Sequence, residues 1–207
     1  MATTRQRIIT YIDGFNLYFG LRDSGFRRYY WLDLDKLATN LLKPGQVMVE
    51  VKYFTARLSS PLDKQRRQAT FLEALATLPR LKIFEGHFLE KTVSCRACGV
   101  SWKSHEEKMT DVQIATELLA DAFQDRFDSA MIISADSDLV PPVRAIRSLF
   151  PHKKVIAAFP PNRHSHHQKM AVHGHFTIGR ANLARSQFPD PVVKADGHVL
   201  RRPATWT

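Results

Sequence analysis

Five residues in three separate stretches are of the types that hold a hard metal ion. The stretch IITYIDGFNLYFG, residues 8–20, is a run built for burial that ends on Asp13, with Gly14 behind it and Asn16 three residues on. Thr110-Asp111 opens a helical segment, and IISADSDLV, residues 132–140, closes a second buried run on Asp136 and Asp138. Carboxylates gathered together repel unless a cation joins them, and carboxylate, carbonyl and water ligands suit Mg²⁺ or Mn²⁺. Such a cation binds phosphate oxygens and acidifies water, the chemistry of phosphodiester hydrolysis. Asn16 is expected to hold a water or a phosphate oxygen without adding charge, and Gly14 to let the backbone pass close to the site. Each acid also has a plainer reading. An Asp before a helix is commonly its N-cap, and Asp111 in a first turn is a favourable charge against the helix dipole.

For these residues to meet, the elements must deliver them to one edge. Residues 6–12, 47–54, 81–88, 130–133 and 154–159 read as short apolar strands bounded by turn residues, with a shorter one near 176–178. Helical segments are expected from Phe15, over 34–42 behind the N-cap Asp33, over about 62–78, over 110–127, up to Phe150, and around 169–172. This alternation predicts a single α/β domain, a central parallel sheet with helices on both faces. Every strand-to-helix loop then leaves at the carboxyl edge, where ligands bind at the switch in strand order. The acids converge if the first and fourth expected strands are neighbours. The domain is placed at 1–185, with an inserted cysteine loop at about 92–105. In the tail, 186–207, Asp196-Gly197 between two short apolar runs signals a hairpin.

Lysine and arginine number 30 against 20 acids, for a charge of +10 and a pI near 9.9. That balance favours a nucleic-acid partner, with Arg57, Lys108, Arg163 and Lys169 as candidate phosphate contacts. The segment PPNRHSHHQKMAVHGH, 160–175, would open on the same edge as the acids. Phe15, Tyr18 and Phe19 recur at helical spacing and are expected in the core. The two cysteines, Cys95-x-x-Cys98, cannot make a disulfide framework. They form half of a zinc knuckle, with His105 and His87 the nearest further ligands for a Zn²⁺; a reduced or redox-responsive pair is the alternative. No apolar run is long enough to span a bilayer and no signal peptide is read, so the expectation is a cytoplasmic protein, with a homodimer as one arrangement. Neither G-x-x-x-x-G-K-[ST], G-x-G-x-x-G nor G-x-S-x-G is present, which leaves triphosphate, dinucleotide and serine-hydrolase chemistry without support.

YIDGFNLY, EKMTDVQIA and IISADSDLVPPV resemble, in order, the three acidic motifs of the NYN domains, relatives of the PIN nucleases, over roughly residues 6–180. The chain is similar in particular to the bacterial LabA-like branch, which often carries a CxxCG insertion before the second motif. The resemblance implies a PIN-like sheet, a divalent metal and endoribonuclease activity leaving a 5′-phosphate and a 3′-hydroxyl. Asp13, Asn16, Asp111, Asp136 and Asp138 match its acidic and polar positions. Asp13, Asp111 and Asp136 are expected on the metal, with Asp138 on it or directly behind it. Lys108, one helical turn before Asp111, is placed to touch a phosphate. Ala135 stands where the family has glycine. A non-catalytic RNA-binding module and a structure-specific DNA nuclease are the alternatives.

Overall fold

The computed structural model describes residues 5–95 and 97–206, with the backbone alone described over 88–93 and 102–108. Strand β1 (Gln6–Asp13) runs through the centre of the sheet, flanked by β2 (Gln46–Ala56) on one side and β5 (Ser129–Ile133) on the other, both parallel to it. Beyond them lie β3 (Leu81–Ser94) outside β2, and β6 (Lys154–Phe159) then β7 (Gly174–Thr177) outside β5. These six strands are parallel. A seventh, β4 (Ser101–Lys108), pairs antiparallel with β3, giving the order β4-β3-β2-β1-β5-β6-β7.

The continuous apolar character of β1 follows from its position between two layers. Ile8 and Ile12 point into one core with α1 (Gly14–Asp23), α2 (Leu34–Asn40) and α3 (Leu62–Leu75). Ile9 and Tyr11 point into the other, with α4 (Thr110–Phe123) and α5 (Val140–Leu149). All four are 2% exposed or less, and full burial of each such side chain is worth about 1.5–3 kcal/mol. Strand order changes direction between β1 and β5, so the neighbouring-strand condition for the acids is met.

Several expected boundaries move. The segment read as a cysteine loop is the turn of an antiparallel ribbon: β3 runs on to Ser94 and β4 returns from Ser101, leaving only 95–100 as the connection. Helix α4 stops at Phe123, short of 127, because Asp125 takes φ 53° and the Arg126 N–H closes on the Asp121 carbonyl at 3.0 Å. Helix α3 ends at Leu75.

In the tail, β8 (Val192–Val193) pairs antiparallel with β9 (Val199–Leu200). The chain then returns to the domain, where Trp206 packs against Tyr30, Trp31 and Phe71 with ring centroids 5.6, 6.2 and 5.9 Å away. Among the described residues no helix is long and apolar enough to cross a membrane.

Candidate metal centre and its cleft

Asp13 is the last residue of β1 and the N-cap of α1, so one side chain serves both readings given above. Its Oδ1 accepts from the Asn16 N–H at 2.9 Å, and its Oδ2 accepts from the Ser134 hydroxyl at 2.9 Å. The second bond exists because β1 pairs with β5 up to Ile12–Ile133, which sets Ser134 beside Asp13 across the gap. Ser134 itself accepts from the Asp136 N–H at 3.0 Å, and Asp136 Oδ1 accepts from the Asp138 N–H at 2.9 Å, capping the short 3₁₀ turn Ser137–Leu139. Hydrogen bonds therefore run from β1 through Ser134 to the Asp136 loop.

Asp111 reaches the same place from α4. Met109 precedes that helix with φ 81°, a left-handed turn uncommon for a bulky residue, which swings the chain from β4 into α4. Asp13, Asp111 and Asp136 each bring a carboxylate oxygen to within 4.8 Å of the other two. Oxygens on an octahedral Mg²⁺ at about 2.1 Å lie roughly 3–4 Å apart, so the donor set fits one hard cation with little closure. Asp13 is only 5% exposed, and a buried carboxylate beside two others is a costly arrangement without a cation.

Asp138 does not join the three; it is exposed, and its amide serves the Asp136 cap. Asn16 spends its Oδ1 on the Ala135 N–H at 3.1 Å, leaving its NH₂ as the group that can donate to a phosphate or water oxygen. Ala135 is not among the residues with positive φ, so alanine in place of the family's glycine brings no backbone strain. Gly14 has a definite steric role, different from the one expected: a Cβ there would lie 2.7 Å from the Phe54 carbonyl oxygen and 2.7 Å from the Tyr53 hydroxyl. The close approach is of α1 to β2. Burial pushes the Tyr53 phenol up to about 12, with the Thr55 hydrogen bond opposing and the charge of Asp13 adding to it, so Tyr53 remains a neutral donor beside the acids.

The three acids line the wall of a cavity of about 640 Å³. Its other walls are aromatic and cationic. Phe15, Tyr18 and Phe19 line it, with Tyr18 40% exposed, which corrects their expected place in the core. Tyr30 and Trp206 add further rings, and Arg22, Arg27, Lys64, Arg67 and Arg163 supply positive charge. Of the expected phosphate contacts, Arg163 lines this cleft, bonded to Asp23 at 2.6 Å. Arg57 instead makes a two-point ion pair with Glu85 at 2.6 and 2.7 Å, and Lys169 lies over the Phe159 ring; neither lines the cleft. The Lys108 and His105 side chains lie outside the described residues. Ser134 lies within the third motif but was passed over for the acids beside it, while Tyr53, Arg27, Lys64 and Trp206 carried no motif, each being placed by a neighbouring strand, helix or the tail.

The profile of the NYN domain matches residues 7–178. The chain belongs to the NYN domain family. This NYN domain is 29% identical over 175 residues to 6-hydroxy-3-succinoylpyridine 3-monooxygenase HspA of Pseudomonas putida, a match covering 67% of the chain and 54% of that protein. The chain thus spans about half the length of the curated relative it matches. A solved structure of a protein of unknown function from Vibrio parahaemolyticus superposes with a TM-score of 0.57 at 17% identity, covering 87% of this chain and 97% of that one. That likeness is one of fold. Within the NYN domain, the acidic triad, with Asp13 buried and Asp111 and Asp136 half-buried, lies at the switch between β1 and β5.

Proposed function

We propose that this NYN domain is a metal-dependent endoribonuclease. The observation that carries the reading is the meeting of Asp13, Asp111 and Asp136 at the wall of a basic, aromatic-lined cleft. A Mg²⁺ or Mn²⁺ held by those three carboxylates would neutralise phosphate charge and acidify water. The chain's own groups do the rest. Asn16, its oxygen committed to Ala135, donates from its NH₂ to a phosphate oxygen. Asp13 is held in one rotamer by Ser134 and the Asn16 amide, so it keeps its orientation as substrate enters. Arg22, Arg27, Lys64, Arg67 and Arg163 follow the phosphate backbone, and the exposed face of Tyr18 offers a base-stacking surface, as single-stranded RNA requires.

The test is cleavage of labelled single-stranded RNA by purified protein with Mn²⁺, Mg²⁺ or EDTA, beside Asp13→Asn and Asp136→Asn. Cleavage should need metal and vanish in both variants. Asparagine caps helices as well as aspartate does, so both variants should fold. Turnover that survives Asp13→Asn, or RNA binding without cleavage under any metal, would overturn the reading and leave a binding module; cleavage confined to DNA substrates would leave a DNA nuclease. The aromatic walls of the cleft also suit a heteroaromatic acid of the kind named for the Pseudomonas relative. Saturable binding of 6-hydroxy-3-succinoylpyridine in the same preparation, with no RNA turnover, would favour that ligand class.

A further inference from the structure

Beyond the Ala56–Gly86 pair, β3 is paired only with β4, and the eight pairs from His87–Lys108 to Ser94–Ser101 carry the ribbon roughly 25 Å past the sheet. Cys95 and Cys98 lie at its tip. The turn that closes it has the shape of a metal knuckle: the Cys95 N–H donates to the Val100 carbonyl at 2.8 Å, the Gly99 N–H donates to the Cys95 carbonyl at 2.9 Å, and Gly99 takes φ 72°. The backbone amides of Cys98 and Ala97, and the Cys98 thiol, hydrogen-bond the Cys95 sulfur, which sets the two sulfurs side by side at the turn.

Two thiolates are half of a tetrahedral zinc site, whose sulfurs lie roughly 4 Å apart. The residues nearest the tip do not supply the other half. The chain has no further cysteine. The four pairs beneath the tip, Ser94–Ser101, Val93–Trp102, Thr92–Lys103 and Lys91–Ser104, contain no His, Cys, Asp or Glu. His105 is paired with Glu90, four residues along the strand from Ser101 and thus roughly 13 Å from the tip. His87 is farther, at the ribbon's base. Among the described residues, no third ligand atom joins the two sulfurs.

We infer that the knuckles of two copies of this chain meet tip to tip and share one Zn²⁺ through four thiolates, linking the copies as a dimer. The contact is self-complementary and closes by two-fold symmetry. Cys98 and its neighbours Ala97, Gly99 and Val100 are exposed, as a tip contact requires. A zinc bound by four thiolates carries a net charge of −2, which two chains of +10 each can balance. The inference is independent of the proposed nuclease activity.

The experiment is metal content and mass in solution, on protein purified without chelator or a metal-affinity step. Elemental analysis should give one zinc per two chains, and sedimentation a dimer that becomes a monomer when a strong zinc chelator is added. Cys95→Ser and Cys98→Ser should each lose both zinc and dimer with an unchanged circular-dichroism spectrum, since the tip lies outside both cores. Cobalt replacing zinc should give the intense absorption of a four-thiolate tetrahedral site. One zinc per monomer, a dimer indifferent to the chelator, or reduced protein that takes up no zinc would each overturn the inference.

Discussion

Asp13 makes a strand end, a helix cap and a member of the acidic cluster from one side chain, and Ser134 is what keeps those roles together. Ser134→Ala removes the donor to Asp13 Oδ2 and the acceptor for the Asp136 amide at once. Loss of such a supporting partner typically costs 10–100-fold in metal affinity, so Mn²⁺ binding by calorimetry should weaken about 10-fold while the fold persists. A second cluster, on the α4 side of the sheet, is structural. Lys52, 1% exposed, bonds Glu117 at 2.7 Å and Asp121 at 2.6 Å, and the Tyr11 hydroxyl donates to the same Asp121 oxygen at 2.6 Å. Burial, with the charge of Asp121 adding to it, pushes the Tyr11 phenol well above its ordinary range, so it stays a donor. Lys52→Met leaves those carboxylates without their buried cation and should destabilise the protein by about 3 kcal/mol, read as a lower urea midpoint at unchanged slope.

At the scale of elements, α1 is seated by two close approaches. Gly14 meets the Phe54 carbonyl, and Gly20 meets Pro160 and the Pro161 carbonyl, with an added Cβ at 2.7 and 2.8 Å from the two prolines. Both approaches fix where Asn16 and the aromatic face of α1 stand relative to the acids. Gly14→Ala forces backbone against backbone and should cost about 1–3 kcal/mol, with a displaced Asp13 and weaker metal binding. Gly174→Ala, where a Cβ meets nothing within 4 Å, should stay within about 0.5 kcal/mol in the same thermal or urea unfolding series. A large loss at Gly174 would show that close packing does not set these costs, since the smaller unfolded-state entropy of alanine favours folding.

The whole molecule carries +10, and the cleft concentrates five of its cations. If all five meet phosphates of a single strand, log K should fall with log salt at a slope of roughly −3.5, and Arg27→Ala and Lys64→Ala should each reduce it by about 0.7. A slope unmoved by both would place RNA elsewhere. Ion-paired carboxyls at the opposite, amino edge of the sheet contribute to acid sensitivity. Hydrogen bonds from Lys153 and then Arg7 pull the Asp125 carboxyl from 3.8 to about 2, and Arg7 likewise lowers Asp128. Carboxyls depressed on folding contribute stability that is present above the unfolded value and lost as pH falls through the folded one. Melting temperature should therefore drop between about pH 4 and pH 2, and Arg7→Gln should lower stability at neutral pH while making that drop shallower.

The α/β alternation, the N-caps Asp13 and Asp33, and the placing of acids at strand mouths were all legible in the sequence, because each depends on residues within a few positions of one another. The carboxyl edge follows from alternation alone, so the convergence of Asp13, Asp111 and Asp136 needed only one further condition. That condition, β1 beside β5, is a fact of strand order, which pairs residues more than a hundred positions apart. Which acid of the Asp136-Ser137-Asp138 stretch joins the cluster was equally closed to local reading: a 3₁₀ turn aims one inward and leaves the other to solvent. The aromatic residues of α1 have the spacing of a core face, yet they line a cleft because the returning tail sets Trp206 at its edge rather than over them. Local chemistry determined what this protein carries to the edge of its sheet; only the tertiary structure, through non-local pairing and the path of the tail, decided which of those groups meet and what space opens beside them.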